Sequence, residues 1–402
     1  MEHQKPVIPG QPAKRGKTSK EQIKSMVAGD FESEEQKKIR NFIEQLRNLD
    51  VSFYAFRRDN FLKSPYSLVL PLPDQIVRYE NMGNPVEGID LGKVKHFSHD
   101  KMIQITSDFS ENNYIRKSTF GRLFRGKIDE GSGMPPREVI VKRWDFLIPF
   151  SPTYGNYPVY YARQLEILLN PHVASHPRMA KLIGYCCDKM FALVFDVNLN
   201  LTVKDLIPRD NFTWSPRMKV ARQVAETLRF FHGKQIALCN FTAPSISVDE
   251  DYNIQLFEFD RAANLASDNF PVLKTIVGGA YNYYSPEYLT SVLEFRREWF
   301  FTSDVYAFGL LLLELTLAKC AVEERPVNFV EVNFVEWAKI AFAKNERYDR
   351  FKMTIAVPQL LIFDLAMKCV QEDPKMRPHM DEIAMELDKL SQFKTENRGL
   401  LG

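Results

Sequence analysis

The sequence predicts an α+β fold in which a small sheet-rich part precedes a larger helical one, and two observations carry that reading. Short β-branched runs come first, at Leu123 to Ile128, Glu138 to Val141 and Ala192 to Val197. Long segments with helical spacing of apolar residues follow, at 217 to 231 and 359 to 369. Strands ahead of helices, without alternation between them, are the order of an α+β chain rather than of a parallel α/β sheet.

The N-terminal third is of a different kind. Residues 1–30 mix Pro, Gly and Lys without apolar periodicity and read as a flexible tail. Residues 31–96 form an extension that opens with an amphipathic helix. Ser33 and Gln36 make a capping box, and Ile39, Phe42, Ile43, Leu46 and Leu49 then share one helical face. Whether that stripe packs on the protein's own body or on a partner is open at the level of sequence. Residues 51 to 95 connect with aromatic and proline-rich sequence in which no residue suggests chemistry.

Composition narrows the function classes. With 45% hydrophobic and 26% charged residues among 402, the chain is an ordinary globular one with material for one large or two modest cores. Lys and Arg total 53 against 51 acidic residues, so no large field draws nucleic acid or an anionic membrane. Five scattered cysteines without metal-ligand spacing suit reduced thiols in the cytoplasm. No apolar run reaches the ~18 residues of a membrane span, and the start carries neither a signal pattern nor a glycine after Met1, so direct membrane insertion is not expected. Recruitment to the plasma membrane would need a partner.

A set of landmarks then appears in a fixed order: FSHDKMIQITSDFSENN from Phe97, EVIVKRW around Lys142, KLIGYCC from Lys181, ALVFD from Ala192, SPEY from Ser285, SDVYAFG from Ser303, NFVEWA from Asn333 and EDPKMRP from Glu372. Together they resemble the plant receptor-like cytoplasmic kinases, and eight landmarks in register make a chance match implausible. The resemblance implies a bilobal kinase fold, with a small lobe over 97–198, a large lobe over 199–394 and a C-terminal tail over 395–402.

The same resemblance implies a damaged catalytic apparatus. Phosphoryl transfer in that family rests on positioning and charge stabilisation by a few groups, each of which can be checked. The phosphate-covering loop reads RKSTFG, with Arg116 and Ser118 at the first two glycine positions and only Gly121 kept. Lys142 stands at the phosphate-holding lysine, with Glu166 expected as its ion-pair partner across a one-residue insertion before His176. The pair serves either nucleotide binding or lobe geometry alone. The catalytic loop falls on Leu238 to Ser245: Asn240 replaces the aspartate that orients the hydroxyl, Thr242 replaces a lysine, and Ser245 replaces a magnesium-holding asparagine. An amide cannot act as a base at neutral pH, and a hydroxyl carries no positive charge. Cys239 stands where an arginine would grip a phosphorylated loop. At the metal-holding triplet, Glu258, Phe259 and Asp260 keep a carboxylate one methylene farther out, so Glu258 is a weak candidate for metal.

Scaffold positions, by contrast, persist. Glu287 and Arg377 match a buried ion pair, and Asp304 matches the residue that anchors the catalytic-loop backbone. Thr275 lies at the usual activation-loop phosphosite, while Ala280 replaces a threonine that would bond the catalytic groups. Losing the general base alone costs about two to four decades of rate, so no catalytic residue is expected.

The resemblance implies a pseudokinase adaptor that binds active receptor-like or cytoplasmic kinases or nucleotide-binding immune receptors. It needs no cofactor. Two alternatives stand beside it: an atypical kinase using Glu258 with Asp249 or Asp251, and a switch that binds ATP without efficient use of magnesium. Gly121, Lys142, Glu166 and Asp196 are the candidate nucleotide-cleft residues for either.

Overall fold

The computed structural model describes residues 33–47, 88–118, 121–130, 133–144, 157–188, 190–197, 201–239, 241–258, 262–265, 283–287, 299–319, 334–343 and 357–396. Leu49, Asn240, Phe259, Asp260, Thr275 and Ala280 lie outside these residues.

Helix α1 (Glu34–Arg47) starts on the capping box read from the sequence. The Ser33 amide donates to Gln36 Oε1 at 2.8 Å and the Gln36 amide donates to Ser33 Oγ at 3.1 Å, so two end amides that the helix itself leaves unsatisfied are paired. Its stripe faces inward: Phe42, Ile43 and Leu46 are buried, and the Phe42 ring meets Tyr185 edge-on at 5.5 Å. The face that sequence left open between self-packing and a partner is therefore part of the main core.

A six-stranded sheet follows, in the order β1-β5-β6-β4-β3-β2. Its strands are β1 (Lys95–His96), β2 (Tyr114–Ser118), β3 (Gly121–Ile128), β4 (Arg137–Trp144), β5 (Lys181–Cys186) and β6 (Ala192–Asp196). Strand β1 runs parallel to β5, and the other pairings are antiparallel. Joining the sheet at Lys95, the chain enters the small lobe slightly ahead of residue 97.

Both faces of the sheet are covered, which is why its strands read as apolar runs rather than as clean alternation. Leu123, Ile140, Trp144, Leu193 and Phe195 point to one side, into the core that also holds α1 and α3 (Tyr157–Leu169). Phe124, Val139, Val141 and Val194 point to the other, under α2 (His99–Thr106). Lys142 lies between Val141 and Arg143 and so shares the face of Ile140 and Trp144.

The large lobe is helical. Short helices α4 (Pro171–Ala174) and α5 (Val203–Leu206) lead to α6 (Trp214–Gly233), then α7 (Trp299–Leu317), α8 (Phe334–Ala343), α9 (Val357–Cys369) and α10 (Met380–Glu396). Helix α7 is apolar nearly all round and is buried from Val305 to Leu313, as a central helix must be. Gly309 lets α9 approach it closely: a Cβ there would sit 2.6 Å from Cys369 Cβ. No described helix is long and apolar enough to cross a membrane. Two small sheets pair β7 (Ile236–Ala237) with β10 (Ala263–Asn264) and β8 (Ile246–Val248) with β9 (Ile254–Leu256).

Candidate functional site

Strand β2 brings Arg116 over the cleft, and the residues following β9 bring Glu258 up to meet it. Arg116 Nη2 lies 2.6 Å from Glu258 Oε2 and also donates to the Pro244 carbonyl at 2.8 Å. Its Nη1 donates to the Lys117 carbonyl at 3.0 Å, and the guanidinium lies 5.6 Å from the centre of the Phe257 ring. One side chain thus bonds the glycine-loop position of the small lobe to both the metal-holding position and the catalytic loop of the large lobe. Sequence reading placed Arg116 only at a lost glycine position of the phosphate-covering loop. The signal it contained was that two altered positions, one now basic and one still acidic, belong to opposite walls of one cleft.

Lys142 is fully buried beside this pair, its ammonium 4.7 Å from the centre of the Trp144 ring. Burial pushes its pKa down to about 7; Glu258 pulls it back up in part, and Arg116 lowers it further. Burial alone would raise the Glu258 carboxyl, but Arg116 and Lys142 beside it, with the Ser118 hydroxyl, hold it below the usual carboxylate range. Arg116 and, when protonated, Lys142 therefore share one buried carboxylate.

A linkage consequence follows. Lys142 binds its proton less tightly in the folded chain than in the unfolded one, whose lysines titrate near 10.5, so between about pH 7 and pH 10.5 the unfolded state carries more protons. Its burden on stability is complete below the lower value and is relieved as pH rises through that window. Thermal melts should show wild type gaining stability relative to Lys142→Met as pH climbs from neutral into the alkaline range. A pH-independent difference between the two proteins would contradict the assignment.

The ion pair expected between Lys142 and Glu166 does not form. Glu166 pairs instead with Arg47 Nη2 at the end of α1. Two positions apart on a helix lie about 200° around its axis, and on α3 it is Gln164 that is buried, at 1% exposure, while the Glu166 side chain is 37% exposed. The count back from His176 assumed one extra residue, whereas the connection contains the separate one-turn helix α4, which starts on an Asn170 side-chain cap. Helix α3 turns Glu166 toward α1 rather than toward Lys142.

Other candidates also have structural roles. Gly121 opens β3 opposite Trp144, and a Cβ there would lie 1.9 Å from the Arg143 carbonyl oxygen. Close strand approach therefore requires glycine whether or not phosphate is bound. Asp196 accepts from Arg137 Nη1 at 2.5 Å, across the sheet. Asp249 organises the turn between β8 and β9, accepting from the Asn253 amide at 2.7 Å and the Asp251 amide at 3.0 Å. Slight burial raises its carboxyl, but these bonds and that of the Asn253 side chain outweigh the effect and lower it. The Asp251 carbonyl accepts from Lys219, so both aspartates are engaged in the turn.

The catalytic-loop substitutions close on themselves. The Thr242 amide donates to Ser245 Oγ at 2.9 Å and that hydroxyl donates to the Thr242 carbonyl at 2.7 Å, with both residues buried around the 3-10 turn Ala243–Ser245. Asp304 of α7 accepts from the amides of Leu238 at 2.8 Å and Cys239 at 2.7 Å, and lies 3.1 Å from His232 Nε2. The backbone at Leu238 and Cys239 is held by this carboxylate, while the Ser245 hydroxyl is bonded to the Thr242 backbone. Glu287 and Arg377 meet through two contacts, Nη1 to Oε1 at 2.6 Å and Nη2 to Oε2 at 2.8 Å.

Away from the cleft, His96, Cys187 and Asp188 come together closely enough to suggest metal ligands. The His96 ring nitrogen lies 2.7 Å from Asp188 Oδ1, Asp188 Oδ2 accepts from the His99 amide at 3.3 Å, and burial pushes the Cys187 thiol up. A protonated thiol is a poor ligand, and the His–Asp bond accounts for the grouping as a tie between β1 and the turn after β5.

Comparison with known proteins places these features in a family. A model described as protein tyrosine and serine/threonine kinase matches residues 109–387. A relative from Arabidopsis thaliana named "Probable serine/threonine-protein kinase PBL17" is 30% identical, over 80% of this chain and 71% of its own length. The serine/threonine-protein kinase BIK1 of the same plant is 29% identical over 74% of this chain and 76% of its length. Receptor-like cytoplasmic kinase 176 of Oryza sativa subsp. japonica is 27% identical over 77% of this chain and 79% of its length.

Proposed function

We propose, given that this chain belongs to the protein kinase family and stands among the plant receptor-like cytoplasmic kinases, that it is a pseudokinase acting as a protein-binding adaptor or scaffold in plant signalling. The observation that carries the reading is the Arg116–Glu258 contact. In an active member the carboxylate at this position must face a metal ion that bridges the nucleotide phosphates. Here it faces a guanidinium of its own chain. The remaining floor positions, Thr242 and Ser245, are engaged with each other, and the Asn240 side chain is an amide that cannot take a proton from an acceptor hydroxyl. Reactant positioning, charge neutralisation and proton transfer are all impaired in one cleft.

What the fold retains is a stable surface. The bilobal body, the self-packed α1 and the anchored loops suit a protein whose product is an interaction. Its partners in this reading are active receptor-like or cytoplasmic kinases or nucleotide-binding immune receptors, met in the cytoplasm or at a plasma membrane to which one of them recruits it. Immune signalling is the proposed setting, and Thr275 the proposed position at which an active partner modifies it.

Purified protein incubated with labelled ATP and magnesium, alone and with a general substrate protein, should incorporate no label above a denatured control. Incorporation that disappears in Lys142→Met or Glu258→Gln would sink the pseudokinase reading. A second reading, the ATP-responsive switch, draws on the survival of Lys142 and Glu258 in one buried cluster. ATP titrated without magnesium separates the two: a rise in melting temperature favours the switch, and none leaves the adaptor.

A further inference from the structure

We propose that Arg116 is a built-in replacement for the divalent cation of the cleft, and that its bond to Glu258 is a latch holding the two lobes together and excluding metal. The inference rests on the non-transferring cleft described above and assigns that cleft a structural purpose.

The geometry carries it. Arg116 belongs to β2, at the edge of the small-lobe sheet, whereas Glu258 and Pro244 belong to the large lobe. A single nitrogen, Nη2, touches both large-lobe acceptors. Among the described residues strand β2 pairs with β3 alone within the sheet, and its ladder is irregular between Tyr114 and Arg116, so a tie to the large lobe adds hold on an edge strand. The Glu258 side chain is 10% exposed and that of Arg116 27%, so the pair is screened less than a surface bridge.

Charge explains the exclusion. A hard divalent ion would need to sit about 2 Å from a carboxylate oxygen. The guanidinium already occupies Oε2 of the carboxylate, and Lys142 adds a second positive charge nearby when it is protonated. An incoming dication would meet the guanidinium, joined by the Lys142 ammonium below about pH 7, across a distance at which like-charge repulsion inside a protein is large. Among the described residues Arg116 Nε is buried without a hydrogen-bond acceptor, while Nη1 and Nη2 are bonded, so the side chain is committed to the cleft through its terminal nitrogens.

The test is a double-mutant cycle read by hydrogen exchange on the intact chain. Arg116→Ala and Glu258→Gln should each speed exchange of the Tyr114–Ser118 amides by about tenfold, and the double variant should be no faster than the faster single one. Unchanged protection of the Val220–Leu228 amides in α6 verifies that every variant is folded. Manganese with ATP should leave wild-type exchange at Tyr114–Ser118 unaltered. Independent effects that multiply in the double variant, or no effect in either single one, would overturn the latch. So would manganese with ATP accelerating wild-type exchange to the level of Arg116→Ala, since the metal would then have displaced the guanidinium. The cycle uses the protein without nucleotide, so label incorporation in the transfer assay would remove the pseudokinase reading without altering its result.

Discussion

Arg377→Ala is expected to destabilise the protein by about 3 to 5 kcal/mol, the range for leaving one member of a buried ion pair without its partner. The Arg377 side chain is fully buried and that of Glu287 is 6% exposed. The substitution removes both contacts to Glu287 together with donations to the carbonyls of Gln371 at 2.8 Å and Thr302 at 3.0 Å. It also removes the guanidinium that lies 4.9 Å from the Tyr306 ring centre. Three separate segments lose a common anchor, and the Glu287 carboxylate stays buried with only the Ser303 hydroxyl, at 3.2 Å, among the contacts described for it. Chemical denaturation monitored by fluorescence checks the value. Replacing both residues with apolar ones of similar volume should recover much of the loss, because the desolvation burden of both charges then disappears. A single-variant loss below about 1 kcal/mol would mean that the pair is solvated, as surface bridges are.

Leu46→Ala should destabilise by about 2 to 5 kcal/mol, the range for deleting a fully buried leucine side chain from a packed core. Leu46 has 0% exposure and belongs with Phe42 and Ile43 to the same core as α3 and the sheet. Its neighbour Arg47 ties α1 to Glu166 of α3, a partly exposed bridge whose removal should cost far less. The contrast is the informative part. Were α1 a detachable arm reserved for a partner, Leu46→Ala would leave the melting temperature of the isolated protein unchanged. The expected loss instead makes α1 a brace on α3, so that whatever binds this protein meets the helix from its exposed side.

Much of the fold was legible because it depends on local periodicity. The strand and helix runs, the Ser33–Gln36 capping box and the α1 stripe all follow from spacings of two to four residues, which a linear reading measures directly. The two scaffold pairs, Glu287 with Arg377 and Asp304 with the loop amides, were placed by motif register and are met by geometry. Glu166 was not legible. Its partner depends on how α3 packs against α1, which brings Arg47 to it, and no local spacing contains that. Gly121 read as a remnant of phosphate binding, although a carbonyl 1.9 Å from its missing Cβ gives it a reason that no motif contains.

What the sequence determined alone was the inventory: which chemical groups are present at the positions where transfer chemistry would need them, and which are replaced. Tertiary structure decided what the replaced groups do instead. Arg116 and Glu258 are separated by 142 residues along the chain, and only the closure of two lobes turns an arginine and a glutamate into one contact. The physical reason is that a residue's identity travels with the chain, while its charge environment is set by whichever distant segments fold against it.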